Sequence, residues 1–257
     1  MEERPLRDPL AELQNFIDER WDVAQPKFYP GGPSDIQVPP ELTASEAKWF
    51  LAAVRSWLEV DDERKLRSDR FPPLKDGSPR GYNFFEASGR KGEEEGRLRT
   101  EWIVHFAAAE RLCDEFGWPL EHLVFESPKV LDSNRGREIL KQDAIDILLL
   151  RERRTQLTWP MTQATLGCRI IVESKFSATG SAGLTGMIQK MRECNRADHA
   201  EHKKCEGLQV FGPDFFLGVA ASETWCLFPV EKGEDGRRVL AEEIPPANQP
   251  PHLRFGP

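Results

Sequence analysis

From Ala144 to Leu150 every position is apolar except Asp146, and Ile170-Ile171-Val172 forms an unbroken β-branched run that ends in Glu173-Ser174-Lys175. Runs of this kind predict strands buried on both faces of a sheet. Between Thr100 and Phe116 the pattern changes: Trp102, Ile103, Phe106, Ala109, Leu112, Cys113 and Phe116 recur at spacings of three and four. That spacing predicts an amphipathic helix, with Thr100 as N-cap and Gly117-Trp118-Pro119 as its stop. Leu123 to Glu126 reads as the first strand of the core. The small-residue loop SATGSAG leads into a second helix from Leu184 to Asn195, with Leu184, Met187, Ile188 and Met191 on its buried side. Phe215 to Ala221 and Trp225 to Val230 predict a closing hairpin, turning at Ser222-Glu223-Thr224.

Upstream, Pro9 to Trp21 and Ala44 to Val60 show helical spacing and are separated by the Pro/Gly-rich QPKFYPGGPSDIQVPP. Thr43, with Glu46 three residues on, carries the signature of a capping box. The pattern therefore predicts an α/β core over residues 99–231 with a helical N-terminal region over 1–98. The tail, residues 232–257, reads as extended and partly mobile. The N-terminal region could grip DNA, bind a regulatory partner or dimerise.

The chemistry sits on the two central strands. Residues two apart on a strand share a face, so Glu173 and Lys175 point one way and Ser174 the other. Setting the strands side by side brings Asp146 toward Glu173. Two adjacent carboxylates repel, and a bound divalent cation relieves that cost. Asp143 is the rival of Asp146, but three positions along a regular strand put it on the opposite face, and Asp146 lies within the apolar run.

An internal Asp on one apolar strand followed by E-S-K on the next resembles the PD-(D/E)XK nuclease superfamily, over roughly Thr100 to Pro229. The resemblance implies a restriction-endonuclease-like mixed sheet flanked by helices. It implies Mg²⁺, with Mn²⁺ substituting, held by Asp146, Glu173 and the carbonyl of Ser174. A helical Glu assists, for which Glu101 is the first candidate and Glu110 the second. Lys175 would orient the attacking water or take its proton, and Gln189 on the second helix would lie near the metal or the phosphate. Magnesium takes oxygen ligands and stabilises a phosphorane-like transition state, so no His or Cys cage is expected. Two departures stand out: Ile145 occupies a position where many members have Pro, and the long spacing between Asp146 and Glu173 requires an inserted hairpin or loop around Thr155 to Gly167.

The expected activity is phosphodiester hydrolysis, in DNA ahead of RNA, in a setting of restriction, phage defence or repair. The competing class is a nuclease-like nucleic-acid-binding or scaffold subunit that no longer cuts. A homodimer would supply two sites for two strands.

Composition changes this picture little. The chain has 257 residues, 39% of them hydrophobic and 30% charged, which fits a core domain with accessory elements. No apolar run approaches the roughly 18 residues of a membrane span, and MEERPLRDPL lacks the apolar stretch of a secretory signal. Five scattered cysteines make no disulfide framework, and a cytoplasmic location is expected. The net charge of −8 opposes phosphate binding, although bases gather at Arg151, Arg153, Arg154, Lys190, Arg192, Arg196, Lys203 and Lys204. Cys194, His199, His202 and Cys205 offer four zinc-type ligands at a spacing that matches no familiar module; the alternative is a polar helix-to-loop segment. Walker, G-x-G-x-x-G, H-E-x-x-H and G-x-S-x-G motifs are absent from the sequence.

Overall fold

The computed structural model describes residues 8–28, 36–61, 64–73, 77–87, 96–127, 129–131, 138–140, 145–153, 161–162, 167–192 and 202–256. Two helices open the chain, α1 (Pro9–Phe28) and α2 (Ala44–Ser56), followed by short strands β1 (Glu59–Val60), β2 (Lys65–Arg67), β3 (Gly81–Asn83), β4 (Phe85–Ala87) and β5 (Gly96–Leu98). Helix α3 (Thr100–Asp114) precedes β6 (Leu123–Phe125), β7 (Val130–Leu131), β8 (Glu138–Leu140), β9 (Ile147–Leu150), β10 (Met161–Thr162) and β11 (Cys168–Lys175). Then come α4 (Leu184–Arg192), α5 (His202–Phe211), β12 (Phe215–Ala220), β13 (Thr224–Lys232), β14 (Arg238–Leu240) and α6 (Pro250–Leu253).

A six-stranded mixed sheet in the order β14-β13-β12-β11-β9-β6 organises the molecule. Strands β6, β9 and β11 run antiparallel in succession, and β11 then pairs in parallel with β12. A parallel pair needs a crossover, and α4 and α5 lie between these two strands in the chain. The α/β class is as the apolar patterning predicted, and the helix-flanked mixed sheet is as the resemblance implied.

Alternation along the strands divides the core into two layers. Ile147, Leu149, Ile170, Val172, Leu217 and Val219 pack with α1, α2 and α3, whereas Leu148, Leu150, Ile171, Phe216 and Ala220 pack with α4 and α5. Gly218 lets α4 approach closely, because a Cβ there would stand 2.5 Å from the Leu184 side chain.

The N-terminal region is part of this core rather than a separate appendage. Phe50 stacks on Phe84 at 5.8 Å, and Trp57 stacks on Phe125 of the central sheet at 5.0 Å. Five short strands accompany the helices there; they escape an apolar-spacing reading because each has only two or three residues. The capping box forms as expected, Thr43 N donating to Glu46 Oε2 at 2.8 Å and Glu46 N to Thr43 Oγ1 at 3.2 Å. The other oxygen of Glu46 accepts the Glu223 amide at 3.1 Å, tying α2 to the β12–β13 turn.

Three further expectations are corrected. Helix α2 stops at Ser56 and residues 59–60 are strand, not helix. Thr100 is not the cap of α3: Arg99 holds that position, its amide donating to Phe84 O at 2.9 Å, and its guanidinium, which has no acceptor, makes no side-chain cap hydrogen bond. The C-terminal tail is not simply extended: β14 pairs with β13, α6 follows, and Trp118 Nε1 donates to Leu253 O at 2.6 Å. Among the described residues no helix is long and apolar enough to cross a membrane.

Candidate functional site

The site lies where β6, β9 and β11 end beneath the first two turns of α3. Continuing the β9–β11 ladder one step past Val172 and Ile147 would set Glu173 beside Asp146, as the sequence suggests. The strand ends first. Asp146 occupies a bend, its carbonyl accepting the Glu126 amide at 2.7 Å while Ile145 O accepts the Ser127 amide at 2.7 Å. The bend sends the Asp146 carboxylate to Ser174, whose amide and hydroxyl both donate to Oδ2 at 2.7 Å.

Ser174 also meets His105, one helical turn after Glu101 on α3, with Nδ1 and Oγ 3.2 Å apart. The serine has a single proton and gives it to Asp146, so the shared hydrogen in this second contact comes from Nδ1. Nε2 then carries a lone pair, and it is buried with no hydrogen-bond partner. Burial, reinforced by Lys175 and opposed by Asp146, lowers the His105 pKa to about 4, so the ring is neutral at neutral pH.

Glu126 completes the cluster. It is buried, immediately follows β6, and has φ +54, an uncommon conformation for a residue with a side chain. One ligand atom each from His105, Glu126 and Asp146 falls within 4.8 Å of the others. Two carboxylates and an unprotonated imidazole nitrogen make a donor set suited to a divalent cation, and the imidazole favours Mn²⁺ or Zn²⁺ over Mg²⁺. Burial raises the pKa of the Asp146 carboxyl, but Lys204, His105, Lys175 and the Ser174 amide together outweigh it and keep the group acidic.

Lys175 and Glu101 meet here as well. Lys175 Nζ donates to Glu101 Oε1 at 2.8 Å, so the last residue of β11 reaches from the end of the strand to α3. Burial works against the ammonium, but Glu101 and Asp146 prevail and raise its pKa. All these side chains border a cavity of about 540 Å³, whose α3 side is lined by Arg97, Arg99 and Trp102.

Glu173 is placed elsewhere. Alternation turns it to the face of Ile171, and it does not line the cavity. Fully buried, it pairs through Oε2 with Lys204 of α5, while Oε1 has no hydrogen-bond partner. Burial and then Asp146 push its pKa up to about 8 against the pull of Lys204 and Lys175. Gln189 lies exposed on α4 and is not part of the lining either. Glu110 accepts from Trp57 Nε1 at 2.6 Å and belongs to the aromatic core.

Of the bases expected to meet substrate, Arg151 pairs with Asp214, Arg153 with Glu121, and Arg192 lies over Phe228. None of these three borders the cavity. Arg154, Arg196 and the Lys203 side chain lie outside the described residues, as do Asp143, Cys194, His199 and most of the insertion around Thr155 to Gly167. Cys205 is disulfide-bonded, which removes it from a zinc-ligand set, while Cys113, Cys168 and Cys226 are free.

Sequence reasoning missed His105, Glu126, Arg97 and Arg99. Two signals were present: His105 stands four residues after Glu101 on one helix face, and Glu126 directly follows an apolar strand. Comparison with protein-family models, with curated proteins and with solved structures gave no match.

Proposed function

We propose that the chain is a metal-dependent nuclease that hydrolyses phosphodiester bonds, in DNA foremost, from a cytoplasmic location. The observation that carries this reading is the convergence of Asp146, Lys175 and Glu101, which are remote in sequence, on one polar cavity. The helix-flanked mixed sheet agrees with the resemblance to PD-(D/E)XK nucleases.

Asp146, Glu126 and His105 would hold the cation, with the orphan Nε2 as the nitrogen donor. The cation supplies Lewis-acid stabilisation of charge on the phosphoryl oxygens. Ser174 fixes the Asp146 carboxylate through two hydrogen bonds. Lys175, kept protonated beside Glu101, acts as a donor that orients water or phosphate rather than as a base.

The test is cleavage of supercoiled plasmid, single-stranded DNA and RNA by the wild type, Asp146→Ala and Lys175→Ala, each in Mg²⁺, Mn²⁺ or EDTA. Metal-dependent cutting lost in both variants supports the reading. A wild type that neither cuts nor binds either cation in calorimetry overturns it.

A second reading, a nucleic-acid-binding subunit that does not cut, is favoured by one observation: the Glu173 carboxylate is tied to Lys204 and stands off the cavity. Substrate binding without cleavage in either metal would select it.

A further inference from the structure

We propose that Arg97, Arg99 and the first turn of α3 form a phosphate-binding subsite that holds a nucleic-acid strand by a phosphodiester. The identity of the ligand as nucleic acid rests on the nuclease reading.

The subsite begins with extended backbone. Strand β5 leads through Arg99 directly into α3. Arg97 and Arg99 are both exposed and both line the cavity. Each guanidinium presents a planar fork of donors that matches two non-bridging oxygens of a phosphate.

Helix α3 adds a second source of positive potential. Its N-terminus carries no side-chain cap, and Thr100, Glu101 and Trp102 of its first turn line the same cavity. Amides at the start of a 15-residue helix attract anions. The acid that would ordinarily answer that potential, Glu101, is engaged by Lys175 at 2.8 Å.

One turn further along, an independent feature points to a ligand. His105 is 1% exposed and lines the cavity, and its Nε2 has no hydrogen-bond partner. A buried lone pair left unsatisfied costs about 1–3 kcal/mol, so with no cation present a donor on a bound nucleotide, a base amino group or ribose hydroxyl, is stabilising there, whereas a phosphate oxygen is not. Trp102 and Phe176 border the cavity too, giving apolar surface on which a base can lie. Guanidinium pair, open helix start and aromatic border together fit a nucleotide strand better than a free phosphate.

The experiment is fluorescence anisotropy of a labelled single-stranded oligonucleotide and a labelled duplex with the full chain in EDTA, across a KCl series. Wild type is compared with Arg97→Ala/Arg99→Ala, and with Arg97→Ala alone should the double variant melt early by circular dichroism. Losing two phosphate contacts should weaken binding about tenfold or more and flatten the salt slope by about 1.4 for a single strand. Competition by inorganic phosphate that matches competition by unlabelled oligonucleotide, at equal phosphate concentration, would assign the subsite to a free anion and overturn the proposal. Unchanged affinity and salt slope in the arginine variants would also overturn it, and plasmid cleavage by the wild type would then leave the nuclease reading standing. A wild type that neither binds nor cuts removes both.

Discussion

A single carboxylate oxygen of Asp146 accepts both the amide and the hydroxyl of Ser174, each at 2.7 Å. The residue between the acid and the lysine of the E-S-K run is therefore a positioning residue for the aspartate proposed to hold the cation. Ser174→Ala keeps the amide bond and removes the hydroxyl. Cation affinity or activity should fall about 10- to 100-fold, as for other groups that orient a ligand. Ser174→Thr should retain most of it, and calorimetric titration with Mn²⁺ measures both.

Glu126 sits at φ +54, where an L side chain costs about 1–3 kcal/mol. Glu126→Gly should leave the urea midpoint unchanged or raised while abolishing cation binding. A variant that loses stability and keeps its cation affinity would show that Glu126 serves packing alone.

The His105 ring titrates near pH 4 in the fold against 6.5 for the ordinary side chain. Between those values the unfolded chain takes up a proton that the native state refuses. The contribution is thus fully present above pH 6.5 and lost as pH falls toward 4, with a slope approaching about 1.4 kcal/mol per unit. Glu173 works the other way: its pKa is raised from 4.5 to about 8, so its contribution is full below 4.5 and lost as pH rises toward 8. The two oppose one another from 4.5 to 6.5. Urea unfolding of wild type and His105→Phe across pH 4–7 isolates the histidine, and a flat difference would mean that the buried ring is already charged.

Lys204 Nζ pairs with Oε2 of the fully buried Glu173, whose carboxyl burial keeps largely protonated at neutral pH. Lys204→Met therefore removes a buried hydrogen-bond partner rather than a counter-charge and should destabilise the protein by about 1–3 kcal/mol. Adding Glu173→Leu, which removes the unpartnered polar group as well, should recover most of that loss. A double variant that is stable and still cuts DNA would place Glu173 outside the chemistry; one that is stable and inactive would place it within.

Periodicity was sufficient for α3, the apolar strands and the hairpin of β12 and β13, because each is long and one-sided or buried on both sides. The family resemblance, not periodicity, put Asp146, Lys175 and Glu101 into one site, and all three line one cavity. Periodicity failed at Glu173, since a bend at Ile145 and Asp146 decides which neighbour on β11 the Asp146 carboxylate meets, and that bend is fixed by backbone bonds from Glu126 and Ser127. The short strands β1 to β5 gave no signal, being held by pairing and by the aromatic core rather than by their own propensity. Arg97 and Arg99 were hidden for the same reason, because their value comes from where α3 starts.

Glu46 has consequences for the order in which the chain assembles. One of its oxygens closes a loop of three residues with Thr43, a contact available as soon as α2 nucleates. Its other oxygen receives an amide 177 positions away, which becomes reachable only after β12 and β13 have paired. Closing so distant a contact is slow relative to forming a helix turn. Hydrogen exchange at the Glu223 amide during refolding would therefore time the meeting of the two halves of the molecule, with the cap of α2 as its internal clock.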